Sequence, residues 1–394
     1  MTLLSRTLLV TAVLLTPLTA TGRASAAADC TSSVPYVSGQ GGYDTYRIPA
    51  TITTRRGTLL AFAEGRHDGA GDSGNIDVVV RRSFDGGCTW DPLRVVAAGN
   101  GDTRGNPSPV VDPRTGAVVL VTSYNGGKVT EGQIMRGEVT PEQSRRVFVQ
   151  KSWDDGVRFS APRDITDQVK LPNWRWYATG PGHAVALRHG AHPGRLVVPS
   201  NHSAAPPPGS ADSGQEPKYY GGHAIYSDDG GNTWHMGFLD DVYDNRHNAN
   251  ETAAAELPDG RIYFNARDQH GADIGHRIDS WSADGARTLV RPYAVQPTLN
   301  EVPVVQASVL QLPGSGAPLL FAGPSVPTSR QSMAVWRSAN GGVTFTKAVT
   351  LSEQRAAYSD LVQVDPATVG VLYETGAKSP YESIEFRRLP VNAL

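Results

Sequence analysis

Cysteine, methionine and concentrated positive charge are what this sequence has least of: two cysteines, four methionines and no Lys/Arg run longer than a pair in 394 residues. Without a basic face, nucleic-acid binding is set aside. Past Leu18 no stretch approaches 18 uninterrupted apolar residues, so the remaining chain offers no candidate transmembrane helix. The ten histidines are scattered, with no H-E-x-x-H or other ligand spacing, which leaves metal catalysis unsupported and no cofactor expected. Long helical periodicity is also missing.

What is present begins with an export signal. Arg6 precedes an apolar run over residues 8–18, and small residues with A-x-A spacing follow at Ala24-Ser25-Ala26 and Ala26-Ala27-Ala28. The mature chain is therefore expected to start near Asp29, with residues 1–28 a signal peptide and 29–394 one secreted, extracellular, monomeric domain. An acid directly before Cys30 does not fit lipoprotein processing, so no lipid anchor is expected. Removing residues 1–28 takes away Arg6 and Arg23 and no acid, leaving 34 bases against 38 acids, a balance too mild to name a partner. In an oxidising compartment Cys30 and Cys88 are free to pair, although nothing in the sequence brings them together.

Gly (42) and Pro (28) are spread along the whole chain, and short Val/Ile/Leu/Tyr runs alternate with turn residues. That pattern favours one large all-β domain. The most linker-like stretch, 203–214, lies between two strand-like segments and reads as a surface loop.

Self-similarity sharpens the architecture. The pattern S-x-D-x-G-x-T-W occurs at Ser83-Phe-Asp85-Gly-Gly87-Cys-Thr89-Trp90 and at Ser227-Asp-Asp229-Gly-Gly231-Asn-Thr233-Trp234. Weaker copies start at Ser152, Ser282 and Ser338. Asp or Asn bonds the backbone of a tight turn, Gly accepts positive φ, and the aromatic packs the hairpin on its neighbour, so the motif is a staple and Asp85, Asp154, Asp229 and Asp284 are structural. Repeats of about 64 residues divide the mature chain about 5.7 times, which fits six four-stranded blades of a β-propeller.

The repeat resembles the Asp-box of bacterial and animal sialidases, and Tyr46-Arg47-Ile48-Pro49, 36 residues ahead of the first box, resembles the Y-R-I-P signature of that family. The likeness runs from Tyr43 to about Leu389. It implies a secreted six-bladed propeller that removes terminal sialic acid from glycans, glycoproteins or glycolipids. A sialic-acid glycoside carries a carboxylate on the anomeric carbon itself, and guanidinium groups suit it because they are permanently charged and bind carboxylates in a bidentate manner. The resemblance places three arginines: Arg47, Arg267 in Phe-Asn-Ala-Arg-Asp, and Arg330 in Thr-Ser-Arg-Gln-Ser, with Arg337 on the same strand as the competitor for the last.

An ionised carboxylate nucleophile would be repelled by that substrate, whereas a phenol deprotonated at the moment of attack is not. Sialidases accordingly depart from the two-carboxylate scheme. Ala356-Ala-Tyr358-Ser-Asp-Leu361 resembles the family's nucleophile segment, with Tyr358 as nucleophile. Glu251 in Asn250-Glu251-Thr fits as its base, with Glu256, otherwise a cap for the turn 257–260, as the alternative. The Gly-rich segment 65–77 reads as a mobile loop able to carry the general acid; the family pattern points to Asp72, with Asp68 and Asp77 also on offer. Arg66 resembles a secondary arginine on the sugar's hydroxyl side. Asn106 stands where several relatives have Asp. Trp174, Trp176 and Tyr177 either stack on sugar or fill the core. These residues imply hydrolysis with retention through a covalent sialyl-tyrosine. A trans-sialidase would share all of them, and a non-catalytic glycan-binding propeller would be expected to lack the tyrosine, glutamate or aspartate.

Overall fold

A computed structural model describes residues 30–241, 246–271 and 275–394, so the predicted signal peptide at 1–28 lies outside the described residues. The described chain is all-β apart from short helices, and its strands run as antiparallel meanders gathered in four sheets. In the first sheet, Thr45–Thr53, Leu59–Arg66, Ile76–Ser83 and Arg94–Ala97 form one meander. A single parallel bridge, Ile76 to Thr103, joins it to a second, made of Thr103–Val111, Val118–Asn125, Arg146–Ser152 and Arg163–Asp164. The next two sheets repeat the pattern from Trp174–Thr179 to His235–Leu239 and from Ala249–Glu256 to Ala294–Val295.

The last sheet contains one 20-residue strand, Thr346–Asp365, that serves two meanders. Its first half pairs with Ser329–Ser338 and its second half, from Arg355, with Thr368–Gly376. Beyond Ser383–Pro390 this sheet is completed by Ser32–Val37 from the start of the described chain. Aromatic packing across this junction unites Tyr36, Tyr43 and Tyr46 with Leu372, Ile384 and Phe386. Cys30 and Cys88, left open by the sequence, form a disulfide, which fixes the approach to Ser32–Val37 onto the first repeat turn.

All five copies of the repeat fold as the same turn. At the first, Ser83 Oγ donates to Asp85 Oδ1 (2.8 Å) and accepts from the Gly87 N–H, while Asp85 accepts from the Thr89 N–H and hydroxyl. Asp154, Asp229, Asp284 and Asn340 each accept the corresponding N–H, from Arg158, Thr233, Thr288 and Thr344. Gly87 has to be glycine: its φ is +92°, and a Cβ there would sit 2.1 Å from the Phe386 ring. Among the described residues no helix is long and apolar enough to cross a membrane, and no group of three or more His, Cys, Asp or Glu side chains is arranged to hold a metal ion.

Candidate active site

Five strands lose their regular register at one level of the molecule. The ladders shift between Arg47 and Ala50, Gly105 and Ser108, Trp174 and Tyr177, Ala249 and Thr252, and Ala356 and Ser359. An irregularity of this kind re-aims side chains that strict alternation would send elsewhere. Here side chains from each of these five shifts meet at one cavity of about 180 Å³, and the eight leading candidates from the sequence line it: Arg47, Arg66, Asp72, Asn106, Glu251, Arg267, Arg330 and Tyr358.

Tyr358 is at the centre. Its hydroxyl donates to Glu251 Oε1 at 2.5 Å, and Arg267 donates to Glu251 Oε2 at 2.8 Å while standing 3.4 Å from the phenol oxygen. The guanidinium carbons of Arg47 and Arg330 lie 4.9 and 5.6 Å from the Tyr358 ring centre. Burial and the charge of Glu251 push the phenol above its ordinary pKa, and Arg267, Arg47 and Arg330 oppose them.

Arg47 is held from behind by Glu374, which is 0 % exposed and accepts from Arg47 Nε at 3.2 Å and Nη2 at 3.4 Å. The same carboxylate accepts the N–H groups of Ile48 (2.9 Å) and Tyr358 (3.1 Å), so one buried acid ties Arg47 to the phenol's backbone. Ile48 has φ +59°, a conformation that costs a β-branched residue on the order of 1–3 kcal/mol and persists because the bonds around it leave no alternative. Beneath Tyr358, Asp360 accepts from the Thr51 and His183 N–H groups, the His183 ring and the Ser308 hydroxyl, which locks this strand against three neighbouring segments.

Asp72 stands at the mouth, its side chain 73 % exposed, 2.9 Å from Arg66 Nη1 and 3.4 Å from Arg47 Nη1. Partial desolvation works to raise its pKa, but Arg66 and Arg47 outweigh it and hold the carboxyl below the usual range. The other two loop acids do not join it. Asp77 is buried, accepting from Tyr43 and the Gly99 N–H, and Asp68 is exposed away from the lining. Glu256 accepts from the Arg188 and His189 N–H groups, so it fixes that loop rather than the turn 257–260. Arg337 reaches the Leu394 carbonyl instead of the cavity. Trp174 and Tyr177 are core residues, Trp174 stacking on His202, while Trp176 faces the cavity and covers the Arg145 guanidinium at 4.1 Å.

Sequence reasoning missed Glu64, Glu131 and Arg145 in the lining and Glu374 behind it. Glu64 pairs with Arg66 at 2.6 Å. Glu131 opens the helix Glu131–Arg136, whose Thr130/Gln133 capping box was readable in the sequence. Burial and the charges of Asp72 and Glu251 raise its pKa against the pull of Arg145 and Arg267. The lone acids Glu64 and Glu374 carry no local signal at all.

The model of the BNR repeat-like domain matches residues 57–371. A sialidase of Bacteroides fragilis is 29% identical over 363 residues, covering 87% of this chain and 62% of its own length. One from Micromonospora viridifaciens is 30% identical, covering 88% and 52%. The chain thus spans between half and two thirds of these two relatives. Sialidase-3 of Bos taurus is 31% identical, covering 80% of this chain and 73% of its own. Among solved structures, the Hadza microbial sialidase Hz136 superposes with a TM-score of 0.79 at 27% identity, covering 92% of this chain and 69% of that one. With a matching domain model over most of its length and relatives of one kind, the chain belongs to the sialidase family.

Proposed function

We propose that this chain is an exo-α-sialidase, a secreted glycoside hydrolase built as a six-bladed propeller, that releases terminal sialic acid with retention through a covalent sialyl-tyrosine. The observation that carries the reading is the convergence on one phenol of a carboxylate base and three arginines: Glu251 at 2.5 Å, Arg267 at 3.4 Å, and Arg47 and Arg330 against the ring. The blade count is supported by two sheets that each divide into two meanders and two that hold one. Export is supported by residues 1–28 and fits the Cys30–Cys88 disulfide.

In this mechanism the substrate carboxylate sits on Arg47, Arg267 and Arg330. Glu251 takes the Tyr358 proton as the phenolate oxygen attacks the anomeric carbon, and Asp72 gives a proton to the departing glycosidic oxygen. Water, deprotonated by Asp72, then attacks the anomeric carbon and displaces the tyrosine, which recovers its proton from Glu251. Arg66 and Arg47 favour ionised Asp72; an anionic substrate seated on Arg47 offsets that charge and returns Asp72 toward the protonated form the first step needs.

The test is trapping. A 3-fluorosialosyl fluoride should add one fluorosialyl mass to the intact protein, on the peptide containing Tyr358, and should not do so in Tyr358→Phe. Labelling elsewhere, or cleavage of an aryl sialoside that survives Tyr358→Phe together with Asp72→Ala, overturns the assignment of these two residues, and a wild type that neither cleaves nor is labelled returns the chain to the glycan-binding reading. A transferase would use the same groups, and analysis of products in the presence of an acceptor sugar separates it.

A further inference from the structure

Arg145 is the one cavity-lining arginine that the mechanism does not use. It is 2 % exposed, and its contacts are all with neutral oxygens: Nε donates to the Tyr177 carbonyl (2.6 Å), Nη1 to Asn125 Oδ1 (2.8 Å) and Nη2 to Asn106 Oδ1 (2.6 Å). Trp176 covers its face. A guanidinium only donates, so the amide of Asn106 has one orientation open to it: oxygen toward Arg145, nitrogen away. The Asn106 backbone is equally fixed. Its φ is +51°, its N–H donates to Glu64 Oε1 (2.8 Å), and its carbonyl accepts from Thr179 (2.6 Å). With Oδ1 occupied and the main chain pinned, Nδ2 is the polar group Asn106 has left to offer the cavity it lines.

We propose that Arg145 is a positioning residue that locks Asn106 as a donor, so that the site reads an acceptor oxygen, not a hydroxyl hydrogen, at the sugar substituent facing it. This rests on the reading of a sialoside substrate. Arg66, tied to the same Glu64, adds a second donor-only group to that wall. A hydroxyl, an ether or an acyl oxygen satisfies the contact equally in this chemistry; a substituent with no oxygen leaves the donor unpaired.

The experiment uses aryl sialosides in which each hydroxyl is replaced in turn by methoxy, which still accepts but cannot donate, or by hydrogen, which does neither. At one position the wild type should lose about tenfold in kcat/KM with the deoxy compound and stay within about threefold with the methoxy compound. Asn106→Asp, whose side chain only accepts, should lose about tenfold more with the methoxy compound than with the parent. Arg145→Lys gathers its donors on one nitrogen and cannot reach three oxygens spread around a planar fork, so the deoxy penalty should shrink to about threefold or less. Thermal melts of both variants report folding separately. The proposal fails if the wild type shows no position with this contrast, if Asn106→Asp handles the methoxy compound as the wild type does, or if Arg145→Lys keeps the full deoxy penalty. Failure of the wild type to cleave the unmodified parent would instead overturn the sialidase reading beneath it.

Discussion

The hydroxyl of Tyr358 and the carboxylate of Glu251 are 2.5 Å apart although 107 residues separate them in the chain. Their strands belong to different sheets, and each is irregular where the residue emerges. Burial alone would leave the phenol unreactive, so in the proposed mechanism the carboxylate is the group that would make it a nucleophile. Glu251→Gln should lower kcat on an aryl sialoside by about 10²–10⁴-fold with the fold intact. A variant that retains more than a tenth of wild-type kcat would remove Glu251 from the base role.

Asp72 predicts a dependence on leaving group. Asp72→Ala should cost kcat/KM at least about a hundredfold more on sialyl-lactose, whose alkoxide departs poorly, than on a nitrophenyl sialoside, which needs no proton. Equal losses on both substrates would place the general acid elsewhere.

Glu374 holds Arg47, Ile48 and Tyr358 together from a fully buried position. Glu374→Gln keeps an acceptor for only one of the two N–H groups, sets an NH2 against the other and removes the charge that seats Arg47, so KM should rise about tenfold, with a melting temperature reduced by several degrees. A melting shift without a change in KM would make the residue a fold element only.

Acid should unfold the protein through His202 and His223. Both rings are buried, their Nδ1 atoms 3.2 Å apart, with Trp174 stacked on His202. Burial drives His202 down to about 3, and burial and the neighbouring His202 ring drive His223 down as well. Folded values below the unfolded value of about 6.5 mean that unfolded chains take up protons first, so stability is complete above that pH and falls as pH drops toward 3, by up to about 1.4 kcal/mol per unit per histidine. Melting curves from pH 7 to 4 should flatten in His202→Gln with His223→Gln; parallel curves for variant and wild type would refute the assignment.

The Cys30–Cys88 bond, 58 residues apart, should contribute about 2–4 kcal/mol. Cys88→Ser should melt several degrees lower, matching reduced wild type, and a variant that melts with the oxidised protein would show the bond to be neutral.

Local motifs carried most of this molecule. The turn repeat is legible because Ser, Asp, Gly and Thr interact within seven residues, and Arg47, Arg267, Arg330 and Tyr358 each sit in a short distinctive segment. Glu374 is different: its partners are Arg47, 327 residues away, and the backbone of Tyr358, so nothing near Tyr373-Glu374-Thr375 announces it. Arg145 and Glu64 were hidden for the same reason. The register shifts that aim five strands into one cavity leave no mark in residue types, since a one-residue irregularity keeps the apolar alternation on both sides. The depressed pKa of Asp72 is a property of two charges meeting it in space, and the loop sequence contains only one of them.

The strand Ser32–Val37 completes the sheet that holds Tyr358, and its partner Ser383–Pro390 follows the Tyr358 strand in the chain. A growing polypeptide therefore leaves the outer edge of that sheet unpaired until Ser383–Pro390 has been made. Only when that strand pairs with Ser32–Val37 is this ladder complete, so a chain lacking Ser383–Pro390 should be less stable, with Thr368–Gly376, the neighbour of the Tyr358 strand, as its exposed edge.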